Sequence, residues 1–418
     1  MFLGARSIII SIFLLWLFSS LNSALFPEAT SYTYVRFVVI FVALIMSFHQ
    51  LPIKILEKNM KVFFWIFILT LFILIQSFFK NQFVDVSILK IINWSALTIL
   101  LMNCWMKIDK KEFYRLSKNI FYFFTLIIIS SLFLIKSKFG YVLNIDLFQG
   151  ILIHPQIFAI VLAIFGVMLF AGFPYKFNSI ILNLSLGALV FYMLILTNSR
   201  TGILGFSLAI FISLLINPTF DNIKKKYTNT AKIFYLLSLI VLPFFIIIIF
   251  ELNNFANIDF LQNIITKSGN TEETFLIDAY LDSRGYIFEK SYDNIKVNFF
   301  SGIGFGIGSD LETFRVSRDP FFGIPYGAAI EKGNILIAIL EELGIFGLSI
   351  FILFLLRCFL NLCDSSFKAL PMFSVIFLLN LGEYSFFSTG GVGSLIMIFF
   401  TLSISKKNFA RTMVDRYF

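Results

Sequence analysis

Apolar runs of about twenty residues recur along almost the whole chain, from SIIISIFLLWLF near one end to VGSLIMIFF near the other. Roughly 20 helical residues, each rising about 1.5 Å, cross the ~30 Å hydrocarbon core of a bilayer. Lipid offers backbone groups no hydrogen-bond partner, so runs of this length imply helices that satisfy their own N–H and C=O groups. The expected fold is therefore an all-α polytopic membrane protein. Its composition agrees: the 418 residues are 59% hydrophobic and 14% charged, far from a soluble domain.

Twelve spans are expected, at about 7–25, 34–51, 61–79, 88–106, 117–135, 151–172, 178–197, 202–217, 233–251, 335–357, 369–382 and 391–405. The amino end has the basic start, apolar stretch and small-residue exit of a secretory signal, read here as an uncleaved first helix. Three parts follow: helices within 1–251, one long loop at 252–333, and helices with a tail at 334–418. Of the 33 Lys and Arg residues, 20 fall on one set of alternate connections, 6 in the short connections of the other set, and 7 in the long loop. Positive charge marks the cytoplasmic side, so both termini are placed inside, with the long loop and Arg200 on the outer face. The net charge of +9 is spread through these connections, which argues for topology signals and a lipid surface rather than a nucleic-acid partner. Two histidines rule out a His-rich metal cluster, and the cysteines Cys104, Cys358 and Cys363 suggest neither a disulfide nor a metal site.

Arg200, in TNSRTGILG, stands where external positive charge needs a reason. Thr197, Asn198, Ser199 and Thr201 surround it with hydrogen-bonding groups, and it precedes a helix start, whose free N–H groups and dipole favour an anion. In the long loop, SRGYIFEKSYDNIKVNFFSGIGFGIGSD places Arg284 near the start of an amphipathic helix whose apolar positions are Tyr280, Ile287, Phe288, Ile295 and Phe299, expected to lie on the membrane surface. The glycines at 302, 304, 306 and 308 fit neither a Walker loop nor the dinucleotide pattern, and serve as a close-packed turn or as a backbone wall for a ligand. Glu341 and Glu342 sit in an apolar stretch, either as a site at membrane depth or as wet residues ahead of a span beginning at Gly344. His154, beside Pro155 at a helix start, is a structural histidine, a base or a ligand. No DxD, GxSxG or HExxH occurs, so metal-dependent sugar transfer and triad hydrolysis lack support.

Taken in order, TNSRTGILG, the long loop with SRGYIFEKSYDNIKVNFFSGIGFGIGSD, and KGNILIAILEELGIFGLSIFI resemble the O-antigen ligase and polymerase superfamily of bacterial surface-polysaccharide assembly over roughly residues 150–360. The resemblance implies a membrane glycosyltransferase of the GT-C type, inverting and independent of metals or other cofactors, in the bacterial inner membrane with its active site facing the periplasm. Its donor would be a glycan on undecaprenyl diphosphate. The diphosphate-holding arginines of that family fall here on Arg200 and Arg284, with Ser199, Thr201 and Asn334 as further substrate-binding positions. A chain-length regulator would be a partner.

At one position the chain departs from the ligase pattern. Ligases of the superfamily carry a histidine directly before the asparagine of an HNxxL-like motif, and here that position is Gly333. The expected function is therefore a repeat-unit polymerase, with a ligase as alternative and a lipid-linked oligosaccharide flippase as the reading from another class. If a base is needed, Glu331 and His154 are the candidates.

Overall fold

The computed structural model describes residues 4–22, 24–25, 40–43, 45, 53–80, 83–141, 147–175, 179–223, 288–318, 323–328, 332–365 and 369–405. The expected span at 233–251 and the residues Arg284, Glu331, Tyr280 and Ile287 lie outside these.

Helices occupy most of what is described. In chain order they are α1 (Ala5–Ser20), α2 (Ile53–Lys80), α3 (Val84–Lys107), α4 (Lys110–Leu132), α5 (Pro155–Ala171), α6 (Ile180–Thr197) and α7 (Arg200–Ile223). After these come a helical segment at 288–297, here α8, then α9 (Ile335–Ser365), α10 (Leu370–Gly382) and α11 (Val392–Ile404). By length and composition, Asn59–Lys80, Val84–Lys107 and Ile335–Leu362 can each cross a membrane, and shorter apolar helices accompany them.

Local chemistry sets several boundaries. Asp109 caps α4 by accepting from the Glu112 N–H at 2.7 Å. Pro155 opens α5 at a position whose N–H would have no partner in any case. The helices α5 and α6 both stop at a left-handed residue, Gly172 and Asn198 respectively.

At the centre lie α5 and α11, which bury nearly every side chain, with α3 beside them. The helix α7 packs on α5 and α10, α9 packs on α2, and α11 meets α10, α3 and α1. The outer faces are apolar as well: Phe64, Phe67, Phe78 and Phe79 project from α2, and Leu184 and Phe191 from α6. Apolar side chains exposed in rows on long apolar helices are what a lipid-facing surface requires, since hydrocarbon rather than water is the solvent there.

The all-α expectation needs one amendment. Residues Val316–Arg318 and Pro325–Ala328 form a small antiparallel ribbon, with Val316 opposite Ala328 and Ser317 opposite Gly327. An ion pair between Arg318 and Asp85 and an edge-to-face contact of Phe314 with Phe83 tie this ribbon segment to the start of α3.

The helix α9 is broken. Gly344 has φ 68° and ψ −173°, which interrupts the helical ladder inside an otherwise continuous apolar run. Residues 299–304 enter the break. The Ile345 N–H, which in an unbroken helix would reach the Glu341 carbonyl, instead donates to Phe299 at 2.9 Å. The freed Glu341 and Glu342 carbonyls accept from Ile303 and Gly304 at 2.8 and 2.9 Å, and Gln76 Nε2 adds a second donor to the latter at 2.7 Å. Every backbone group freed by the kink that these bonds name finds a new partner, as a break at membrane depth demands. The approach is close enough that a Cβ at Gly302 would strike the Glu342 carbonyl, and one at Gly344 the carbonyl of Phe300.

Candidate functional site

The broken helix carries Glu341 and Glu342 on its last intact turn, and both side chains are 0% exposed. Of the two readings open for these residues, the wet interfacial one is excluded. Lys332, 2% exposed, bridges them: its Nζ lies 3.0 Å from Glu341 Oε2 and 3.2 Å from Glu342 Oε1. Buried carboxylates need hydrogen bonds as well as a counter-charge. Glu341 accepts from Asn294 Nδ2 at 2.7 Å and from the hydroxyls of Ser291 and Ser309 at 3.0 Å each. Glu342 accepts from the Gly306 N–H at 2.8 Å and from the Tyr384 hydroxyl at 2.9 Å.

This network assigns the loop residues their parts. The glycine run packs its backbone against α9 and donates N–H groups into it, so it acts as a close-packed turn. The segment α8 turns Ser291 and Asn294 inward to Glu341, while Phe288 and Ile295 of the expected apolar positions are half-buried. Phe299 lies beyond the helix end, in the turn that enters the break. Lys90 of α3 adds a second, half-buried cation, its Nζ 4.8 Å from the ring centroids of both Phe305 and Tyr384. Burial and, after it, the nearby Glu342 carboxylate push the Tyr384 phenol well above its ordinary pKa, so it remains a donor.

A cavity of about 130 Å³ opens beside this network, lined by Gln156, Ile157, Lys332, Glu383, Tyr384 and Ser385 among others. Three helix starts come to it or to its border. Gln156 and Ile157 belong to the first turn of α5. Lys332 and Gly333 lead into Asn334, which caps α9 by accepting from Leu336 at 2.9 Å and Ile337 at 3.4 Å. The first turn of α7 abuts the end of α10, where Thr201 presses on Gly382, one residue before Glu383. A bond from the Tyr384 N–H to the Lys332 carbonyl at 3.2 Å joins the approach to α9 to the segment that follows α10. Helix starts carry partial positive charge, so their convergence creates a field suited to an anion.

The expected residues thus fall into groups. Arg200 is the first residue of α7, two residues after the left-handed Asn198. Ser199 caps that helix, its Oγ accepting from the Gly202 N–H at 3.3 Å and lying 3.4 Å from the Thr201 hydroxyl. The cap claims one N–H that an anion would otherwise use. His154 caps α5: its Nδ1 accepts from the Gln156 N–H at 3.2 Å, so any proton transfer by this side chain falls to Nε2. Residues missed from the sequence are Lys332, Tyr384, Glu383 and the polar pair Ser291 and Asn294. Lys332 carried a signal, a cation nine residues before a carboxylate in an apolar setting, but nothing in that spacing specifies contact.

Residues 185–352 match the model of a family described as O-antigen ligase. The match runs from α6 through the break in α9, so it contains Arg200, the glycine run, Lys332, Glu341 and Glu342, while His154, Glu383 and Tyr384 fall outside it. It bears out the resemblance to the O-antigen ligase and polymerase superfamily, whose members are membrane glycosyltransferase-like enzymes acting on lipid-linked glycans. No curated protein matches the chain.

Proposed function

We propose that the protein is a surface-polysaccharide polymerase that joins undecaprenyl-diphosphate-linked repeat units in the inner membrane, with both termini in the cytoplasm and its site facing the periplasm. The starts of α5 and α9 at one small cavity, with the start of α7 packed on the end of α10 at its border, support this reading most directly, because positive helix ends with Arg200 at one of them suit a diphosphate.

In the proposed reaction the hydroxyl at the non-reducing end of one unit attacks the anomeric carbon of another chain. The bond from that carbon to the diphosphate oxygen breaks, its electron pair leaves on the diphosphate, and the hydroxyl proton passes to a base. Fixed guanidinium charge on Arg200, together with Arg284, stabilises the departing diphosphate. For the proton, Glu383 joins His154 and Glu331 as a candidate, since it lines the cavity at the end of α10 next to the first turn of α7. Ser199, Thr201 and Asn334 serve this reading mainly by fixing the helix starts.

The ligase remains the second reading, favoured by the description of the matching family, whereas Gly333 in place of the ligase histidine favours the polymerase. Deleting the gene and resolving surface glycan on a gel separates them. Loss of the polymerase leaves single attached units without a ladder; loss of a ligase leaves long polymer on its lipid carrier, unattached. Accumulation of lipid-linked units on the cytoplasmic leaflet would instead point to a flippase.

A further inference from the structure

We propose that residues 297–301 of the long loop enter the bilayer, so that the turn ahead of the glycine run is a re-entrant segment whose outward side chains sit among the acyl chains of the outer leaflet. The partner of this surface is phospholipid. The contact is independent of the reaction proposed above, and only the name of the leaflet rests on that topology.

The turn lies against two helices that can each cross a membrane, α2 and α9. Along their shared face, a Cβ on Gly347 of α9 would lie 3.0 Å from the Phe72 ring, and Gln76 Nε2 of α2 donates to the Glu342 carbonyl at 2.7 Å. The turn is held at the same height. Gln76 Nε2 also donates to the Ser301 carbonyl at 2.5 Å, and Lys80 Nζ donates to Asn298 Oδ1 at 3.1 Å. Gln76 and Lys80 are one helical turn apart, about 6 Å along the axis. Lys80 ends the apolar run Asn59–Lys80, which is long enough to fill the hydrocarbon core. Ser301 therefore lies about one turn inside the end of that run, and the break at Gly344 lies near the outer boundary rather than at the bilayer centre.

The side chains of the turn divide to match. Ile303 and Phe305 point into the protein and are buried, whereas Val297 and Phe300 are 83% and 63% exposed. Apolar groups of that size, side by side, are costly to leave in water. Here they continue the lipid-facing surface of the long helices. The Phe300 ring meets Phe346 of α9 with centroids 6.0 Å apart and Phe299 at 5.4 Å, while Phe78 and Phe79 project from the last turn of α2 beside Lys80. Farther back along α8, the exposed Tyr292 carries Lys296 Nζ 4.1 Å from its ring centroid. An aromatic ring with a phenol and a neighbouring cation is a pairing suited to the headgroup level.

Spin labelling of the full chain in liposomes of phosphatidylethanolamine and phosphatidylglycerol tests the insertion. Cys104 and Cys358 are buried and stay, and Cys363→Ser removes the third thiol. Single cysteines then replace Phe300, Val297, the outward-facing Phe67 of α2 as a lipid reference, and the exposed Glu289 of α8 as a water reference. Oxygen concentrates in hydrocarbon and a nickel chelate in water, so the ratio of their collisions with each label reports its surroundings. The ratio at Phe300→Cys is expected within about twofold of that at Phe67→Cys and about tenfold above that at Glu289→Cys, with Val297→Cys between the two references. A ratio at Phe300→Cys closer to the water reference overturns the insertion. So does a label there that meets neither reagent, which marks a protein neighbour such as a second copy in place of lipid. If Phe300→Cys does not fold, Val297→Cys decides, and a ratio no higher than that of Glu289→Cys overturns the proposal. No glycan is present in the measurement, so its failure leaves the proposed reaction untouched.

Discussion

Lys332 and Glu341 form an ion pair at 3.0 Å with both side chains shut off from solvent, and the pair joins the segment leading into one helix to the last intact turn before that helix breaks. Together with Glu342 at 3.2 Å, it holds the approach to α9, the glycine run and Tyr384 around one point. Such a network adds little net stability over an apolar core of the same shape, yet losing one member is expensive because the others keep their buried charge.

That asymmetry gives a first prediction. Lys332→Met leaves two buried carboxylates without their cation, and is expected to destabilise the protein by about 3–5 kcal/mol, read as a fall in thermal midpoint and in yield after detergent extraction. Adding Glu341→Gln to Lys332→Met removes one of the stranded charges and is expected to recover part of the loss. Equal stability of the single variant and the wild type would mean that the pair is open to solvent.

The break in α9 gives a second. At Gly344 a side chain meets both a left-handed backbone and the carbonyl of Phe300, whereas at Gly323 it meets a left-handed backbone and nothing within 4 Å. The conformational cost of a positive φ is about 1–2 kcal/mol, and more at Gly344, whose ψ of −173° lies in a region essentially only glycine occupies. Gly323→Ala is therefore expected to cost about that much. Gly344→Ala is expected to cost several-fold more, since the loop at 299–304 must leave the break or the helix must close over it. Thermal unfolding of the two variants side by side tests the difference, and similar shifts would contradict the inserted loop.

Those two sites show what could be seen in advance and what could not. The long apolar runs announce α2, α3 and α9 because a helix in lipid needs little from its neighbours beyond being apolar and long enough. Arg200 and His154 stand out because each marks a helix start with a residue type that runs against its surroundings. The break at Gly344 was invisible, since glycine is common within membrane helices and this one is bent only because residues 299–304, some forty positions earlier, insert there. Whether Glu341 is wet or buried is likewise undecidable from its own stretch: the answer lies with Ser291, Asn294, Ser309 and Lys332, which only the fold brings together.

Arg200 supplies a third prediction, this one about function. If its guanidinium grips the departing diphosphate with two parallel N–H groups, lysine is a poor replacement, because a point charge keeps the attraction but loses the fork. Arg200→Lys and Arg200→Ala are both expected to lower kcat for glycan transfer by about 10²–10³, at unchanged protein level, and to collapse the surface-glycan ladder to single units. A ladder of normal length from Arg200→Ala would remove Arg200 from the reaction.

The proton's destination can be decided by separating cap from base at α5. His154 serves that helix through Nδ1, a task asparagine performs equally well, so His154→Asn keeps the helix start and removes the titrating ring. Glu383→Gln keeps the size and hydrogen-bonding capacity of the cavity wall while removing a carboxylate. With Glu383 as the base, Glu383→Gln is expected to lower kcat by about 10²–10⁴ and to abolish the acidic limb of the kcat/KM profile, where rate falls as the carboxylate gains a proton. His154→Asn would then retain both the rate and that limb. The opposite pattern, a limb near the histidine range that disappears with His154→Asn, would move the base to Nε2 of His154 and leave Glu383 as a wall of the cavity.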